Sequence, residues 1–349
     1  MASPVGAPAE LSQREHEVLK AIVQDFILTG EPVGSGVIAP RCDVSPATVR
    51  NVMSDLEALG LLEKPHTSAG RVPTERGYRL YVDMLLRVRQ PGPKDRERIE
   101  RGVQPTAISE LIVETGRLLH ELTRHASIVL APRFEQTLFH RLELVRLRED
   151  RVLAIFVSPS GVVQNRLITV DFPVAREELE HATHYLSELM AGGMTIEAVQ
   201  ARIRQELALE RARYDELVKK SLTLGERALE GGPAPAPQLL IEGEESFLDQ
   251  PEFAEDVSRM RRLFAELSQK DRLLQVLERA ALGKDIQIFI GAESEFSAAA
   301  GVSVIAAPYA RGDVVLGALA VVGPMRMNYG RVIPLVDYTA RAVSRALDD

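Results

Sequence analysis

The chain is poor in the features that announce covalent or membrane chemistry. A single cysteine, Cys42, excludes an intrachain disulfide and any zinc site built on several thiolates. The longest apolar run, Val314 to Val322, falls short of the roughly 20 residues that a spanning helix needs. The opening segment MASPVGAPAE has neither the positive start nor the apolar core of a signal peptide, so a cytoplasmic location without a membrane partner is expected. Charge of one sign is also missing: 42 Lys and Arg stand against 50 Asp and Glu, a formal net charge of −8, which excludes a uniformly basic nucleic-acid binder. There is no phosphate-cradling glycine loop with its lysine and no G-x-S-x-G elbow. His181 and His184 are the one close histidine pair on a predicted helix, and they lack a cysteine or an obvious third ligand. No catalytic constellation, metal or cofactor is expected, and the chain reads as a non-enzyme.

At 349 residues the chain exceeds what one core usually supports, so two or three domains are expected. The most informative stretch runs from Ser45 to Asp83. Ser45-Pro46 offers a capping serine followed by a proline suited to the first helical turn. Val49, Val52, Met53, Leu56 and Leu59 then recur at the spacing of one buried helix face. The opposite face carries Ala47, Asn51 and Ser54, flanked by Thr48 and Arg50, a set of small and hydrogen-bonding side chains suited to a groove. Ahead of it, Ser12 and Glu15 form a capping box for a helix to about Thr29, with Val18, Leu19, Ile22, Val23, Phe26 and Ile27 as its packing face and Gly30 as its end. A second short helix follows, with Val37 and Ile38 inward and Pro40 as its limit. These helices and the tight turn at 41–44 spell a helix-turn-helix. Leu61 to Lys64 and Arg71 to Pro73 read as the arms of a wing hairpin, and Gly77 to Arg89 as a further helix.

Local charge supports this assignment. Between Lys64 and Arg89 six basic residues face two acids, an island of +4 inside an acidic protein. Asn51 suits a bidentate contact to adenine and Arg50 one to guanine or phosphate. Ser45, Thr48 and Ser54 would add polar contacts, while Lys64, His66, Thr67, Ser68 and Arg71 would set the wing along the backbone or minor groove. The competing interpretation is a three-helix bundle without a ligand. Cys42, in or beside the turn, reads as an ordinary half-buried side chain more readily than as a redox switch.

The rest of the chain alternates strands and helices. Gln90 to Gln104 reads as a linker that becomes helical toward its end, and Pro105 to Arg124 as a helix. Strands are expected at Ser127–Leu130, Arg141–Leu147, Val152–Val157 and Val163–Val170, then again at Ile286–Ile290, Val302–Ala307 and Val314–Val322. Helices fill 175–224 and 251–282, the first with an imperfect heptad at Ile203, Leu207, Glu210, Tyr214, Leu217, Ser221 and Leu224. Gly291 to Gly301 reads as a turn region, and a last helix is expected from Pro334. Strands, helices and more strands suggest one α+β domain interrupted by a helical insertion.

The runs TGEPVGS (29–35), SPATVRNVMSDLEALGLLEKPHTSAGRVPT (45–74), GYRLYVD (77–83) and GPMRMNYGRVIPLVDYTA (323–340) resemble bacterial HrcA-type heat-inducible transcription repressors. The resemblance implies an α+β multidomain chain: a winged helix-turn-helix at 1–89, a discontinuous GAF-like domain at 90–190 and 283–349, and a mainly helical dimerisation domain inserted at 191–282. It further implies a homodimer on a double-stranded, inverted-repeat operator (CIRCE) ahead of chaperone genes, with a GroEL-type chaperonin needed for activity and heat as the inactivating signal. The alternative is a winged-helix repressor controlled by a small effector in the GAF-like domain, and Arg326, Asn328 and Tyr329 could line such a pocket.

Overall fold

The computed structural model describes residues 11–66, 69–85, 90–104, 108–131, 139–148, 150–158, 163–170, 174–190, 193–210, 216–230 and 239–348. The first body, the head, contains α1 (Gln13–Thr29), α2 (Ser35–Cys42), α3 (Pro46–Ala58), the short strands β1 (Leu62–Glu63) and β2 (Val72–Pro73), and α4 (Glu75–Leu85). The capping box forms as expected: the Glu15 amide donates to Ser12 Oγ, and the Ser12 amide donates to the Glu15 carboxylate at 2.6 Å. Gly30, at φ +72°, closes α1 in the left-handed conformation and donates to the Phe26 carbonyl. Pro40 does not stop α2, which runs on to Cys42; burial of Ile38 and Ala39 against the head core outweighs the local penalty, and Asp43 at φ +52° ends the helix. Val37 is exposed, not inward as its neighbour Ile38 is.

The wing is tied down at its base. Beyond the β1–β2 pairing, Arg71 and Val33 exchange backbone hydrogen bonds, both at 2.9 Å, so the loop after α1 acts as a third strand. Gly70 permits this approach: a Cβ there would lie 2.4 Å from the Val33 carbonyl oxygen.

After the head come α5 (Pro93–Gly102), α6 (Ile108–Thr123) and β3 (Ala126–Leu130). The segment expected to be mostly linker is therefore largely helical, because α5 buries Ile99 completely against neighbouring helices. The chain then leaves for β4 (Arg141–Arg148), β5 (Arg151–Val157), β6 (Val163–Thr169), α7 (Arg176–Met190), α8 (Ile196–Glu210) and α9 (Glu216–Glu230). It returns with β7 (Leu239–Glu242), α10 (Pro251–Ala254), α11 (Val257–Ser268), α12 (Lys270–Leu282), β8 (Gln287–Ile290), α13 (Glu295–Ala300), β9 (Val302–Arg311), β10 (Val314–Pro324) and α14 (Tyr329–Asp348).

Five strands form one antiparallel sheet in the order β7-β3-β10-β9-β8. Alternation along β3, β9 and β10 feeds both faces. Val129, Ile305, Leu319 and Val321 join the core under α6 and α14, whereas Ile128, Val304, Ala320 and Val322 join the core under α11 and α12. This is the GAF-like α+β domain. Gly291 to Gly301, expected as a turn region, holds α13, capped by the Ser294 hydroxyl. The last helix begins at Tyr329, five residues earlier than expected, and carries Pro334 in its second turn, where burial of Ile333 and Leu335 outweighs the lost backbone hydrogen bond.

The insertion differs from the expectation. Among the described residues β4, β5 and β6 pair only with one another, and their inner residues Leu142, Leu144, Val152, Phe156 and Ile168 share a separate core with α7, α8 and α9. Residues 139–230 thus form the inserted body, which carries its own three-stranded sheet, while β7 through α12 belong to the GAF-like domain. We propose that the insertion follows this separate sheet and core, with its edges near 139 and 230 in place of those expected at 190/191 and 282/283. Period-two alternation identifies a strand but not the sheet it joins, and here the pairing decided. Of the heptad, Ile203 on α8 and Leu224 on α9 are buried in one core and the two helices pack against each other, while Tyr214 lies outside the described residues. Among the described residues no helix is long and apolar enough to cross a membrane.

One titratable group is wedged between the GAF-like helices and sheet. His125 follows Arg124, whose φ is +60°, and precedes β3 directly. Burial, partly countered by Glu252, pushes its imidazole down to about 4. Its folded pKa lies below the unfolded value, so its stabilising contribution is complete above about pH 6.5 and is lost as pH falls toward 4. Denaturant unfolding should show stability falling by about 2 kcal/mol between pH 7.5 and pH 5 in the wild type, and by clearly less in His125→Gln.

Candidate nucleic-acid interface

The reading face is set by how α3 is seated. Ser45 caps it, accepting from the Thr48 amide at 3.1 Å, and the Ser45 and Thr48 hydroxyls share a 2.9 Å hydrogen bond. Val49, Val52, Met53 and Leu56 are buried, so the remaining face must look outward. Arg50, Asn51 and Ser54 are exposed on it. The Ser54 hydroxyl donates to the Arg50 carbonyl at 3.1 Å, leaving its lone pairs as the outward function. Arg50 and Asn51 have no side-chain partner among the described residues. The capped N-terminus of α3 adds partial positive charge where phosphates would approach. Asp55 is exposed farther along the same helix, so the N-terminal half is the part compatible with a polyanion.

The wing divides the expected contacts. Lys64 and His66 are exposed beside α3. Thr67 and Ser68 lie outside the described residues. Arg71 is not available as a phosphate contact in this conformation: its side chain is 11% exposed and its guanidinium holds Glu57 of α3 at 2.7 Å. With its backbone paired to Val33, Arg71 fixes the wing to both the recognition helix and the loop after α1. The spacing of basic residues could not reveal this, because Glu57 lies on a different element.

A second member of the basic island is also committed elsewhere. Arg79 donates through Nε to Glu293 at 2.6 Å and through Nη2 to the Ile288 carbonyl at 2.6 Å, both in the GAF-like domain. Beside it, Glu75 accepts from the Ala292 amide at 3.0 Å. Arg326, paired with Glu252, reaches the Ile27 carbonyl at the end of α1 at 3.4 Å. The Tyr78 and Tyr329 rings meet with centroids 6.0 Å apart. Arg326 and Tyr329 of the GPMRMNY run therefore dock the head onto the start of α14, while Asn328 caps that helix by accepting from the Arg331 amide at 3.2 Å. Glu57, Glu75, Glu252 and Glu293 carry no local signal as partners, since each engages a residue on a different element. Of the island, Lys64 and Arg76 remain exposed, as do Arg50 on α3 and Arg14 and Lys20 on α1, while Arg87 and Arg89 lie outside the described residues.

The other candidate chemistry is quiet. Burial pushes the Cys42 thiol up, which disfavours the reactive thiolate. His181 contacts the Ser221 hydroxyl at 3.3 Å and His184 faces Glu188 at 3.6 Å. Among the described residues no group of three metal-binding side chains occurs.

Comparison with known proteins places this geometry. Two family models match: "Winged helix-turn-helix transcription repressor, HrcA DNA-binding" over residues 10–84 and "HrcA protein C terminal domain" over residues 109–333. The chain is 52% identical over 344 residues to the heat-inducible transcription repressor HrcA of Anaeromyxobacter sp. (strain K), covering 97% of each chain. It is 46% identical to the protein of the same name from Geobacter sulfurreducens, covering 97% of this chain and 99% of that one. A solved structure described only as a hypothetical protein at 2.2 Å resolution shares the fold, with a TM-score of 0.64 at 23% identity and coverage of 97% and 99%.

The Arg71–Glu57 pair generates a direct test. Arg71→Ala should destabilise the folded protein by about 1–3 kcal/mol, and adding Glu57→Ala should cost less than the sum of the single changes. Denaturant titration of the four proteins reads both quantities; unchanged stability with weakened DNA binding would return Arg71 to the contact set.

Proposed function

The chain belongs to the HrcA family of heat-inducible transcription repressors, and from that premise we propose that it acts as a homodimer whose two winged helices occupy the halves of an inverted-repeat operator, CIRCE, ahead of chaperone genes. The observation that carries this reading is the capped, outward N-terminal half of α3, with Asn51 and Arg50 unengaged beside a wing held at a defined angle. In the bound state Asn51 pairs with adenine, Arg50 with guanine or phosphate, and Ser45, Thr48 and Ser54 complete the polar contacts. Lys64 and His66, with Thr67 and Ser68, lie along the backbone or minor groove. Twofold symmetry of the protein matches that of the operator. The site of action is the bacterial cytoplasm.

The inserted body supplies the dimer contact. One face of its sheet is covered by α7, α8 and α9, but the other presents Val145, Leu153 and Leu167 in one cross-strand row and Val157 and Val163 in another. Val145, Leu147, Val163 and Leu167 are all exposed, a concentration of large apolar side chains that a second copy would cover.

Dependence on a GroEL-type chaperonin is consistent with the topology. β3 pairs with β7 and β10 only after the whole inserted body has been made, and such non-local closure slows folding and prolongs exposure of apolar surface. Heat diverts chaperonin to other clients and lowers the amount of active repressor.

Two measurements test the reading. Asn51→Ala should weaken binding to an inverted repeat upstream of a chaperonin operon by about tenfold or more, while leaving affinity for random DNA of equal length nearly unchanged; equal losses on both would remove Asn51 from base reading. Leu167→Lys should shift the protein from dimer to monomer in analytical ultracentrifugation, with the circular dichroism spectrum retained and operator affinity lost.

A further inference from the structure

A cleft of about 620 Å³ opens where the head meets α14. One wall is α1 and α4 of the head, with Ile27, Leu28, Tyr81 and Met84; the other is the start of α14, with Ile333 and Pro334. Its size and its position at a domain junction are those of small-molecule sites. Two features define the chemistry it accepts. Leu28 is 72% exposed at the cleft, so an apolar surface is left uncovered. The charged lining consists of Lys20 and Arg41, with no carboxylate among the described lining residues, in a protein of net charge −8. Asp25 engages one side of Arg41 at 2.8 Å, but the Arg41 side chain remains 47% exposed, and Lys20 has no partner among the described residues. Gly330, in the first turn of α14, borders the same cleft and adds the positive end of a 20-residue helix.

We propose that this cleft is a binding site for an amphipathic anion, an alkyl chain carrying a carboxylate, with the chain on the Leu28 and Ile333 side and the head group at Lys20 and Arg41. Because its two walls belong to different domains, such a ligand binds best to one pose of the head. Ligand affinity and operator affinity are then coupled, and by linkage the coupling is reciprocal. The coupling rests on the repressor function proposed above; the binding does not. The site is distinct from the two cores of the GAF-like sheet, both of which are filled by side chains.

The test uses the full chain without DNA. Isothermal titration should show saturable, one-to-one binding of decanoate below its micelle concentration. Decan-1-ol and inorganic phosphate, each lacking one half of the chemistry, should bind at least about tenfold more weakly. Lys20→Glu, at an exposed position, should weaken decanoate about tenfold and leave decan-1-ol unchanged; Leu28→Asp should weaken both. Absence of saturable decanoate binding, equal binding of decan-1-ol, or an unaffected Lys20→Glu protein would each overturn the proposal. Vesicles of anionic phospholipid form a second arm: binding to them without binding to free decanoate would replace a soluble ligand by a lipid surface and would also overturn it. Operator affinity measured with saturating decanoate then reports the coupling alone, so failure there does not touch the site.

Discussion

The pairing of β3 is the constraint on which the rest of the molecule depends. This five-residue strand is buried along its whole length and hydrogen-bonded on both sides, to β7 after the insertion and to β10 near the end of the chain. Those two pairings place the ends of the inserted body at one edge region of the sheet and draw the C-terminal segment back beneath the helices that precede β3. Once β10 is in place, α14 must cross the sheet face and pack on α6, with Tyr329 anchored by its hydroxyl contact to Ser303 at 2.8 Å. The start of α14 is the platform that receives the head. A disturbance in β3 would therefore reach both the insertion and the DNA-reading surface.

The head itself uses its arginines unevenly. A run of basic residues in sequence suggests a continuous phosphate-binding strip, but a guanidinium with a planar fork of donors is equally suited to buried or half-buried carboxylates. Arg71 is spent on the internal geometry of the winged helix, and Arg79 on docking to the GAF-like domain. Arg50 on the first half of α3 and Lys64 and His66 beside it stay exposed. The contacts of Arg79 and Glu75 with the loop after β8 join the head to the GAF-like domain.

Much of this architecture was legible in local pattern. The capping box at Ser12, the left-handed Gly30, the Ser45 cap and the buried stripe of α3 all appear where short-range chemistry put them. The expected strands also form, since alternation of β-branched residues is a local signal. The departures share one cause. Pro40 and Pro334 sit inside helices because packing of Ile38, Ala39, Ile333 and Leu335 outweighs a local backbone preference. Val37 and Ile38 exchanged no pattern of their own; only the position of the neighbouring helices left one outward.

The sequence alone determined the kinds of element, the family, and the outward face of the recognition helix, because each rests on spacing within about one or two helical turns or on contiguous motifs. Tertiary structure alone decided which sheet β4 to β6 would join, that Arg71 would pair with Glu57, and that GPMRMNY would serve as the docking platform for the head. Those outcomes depend on partners from separate elements, in the docking case more than two hundred residues away in the chain. A strand's alternation or an arginine's charge states what it can bind, and only the folded chain brings one partner within reach and excludes the others.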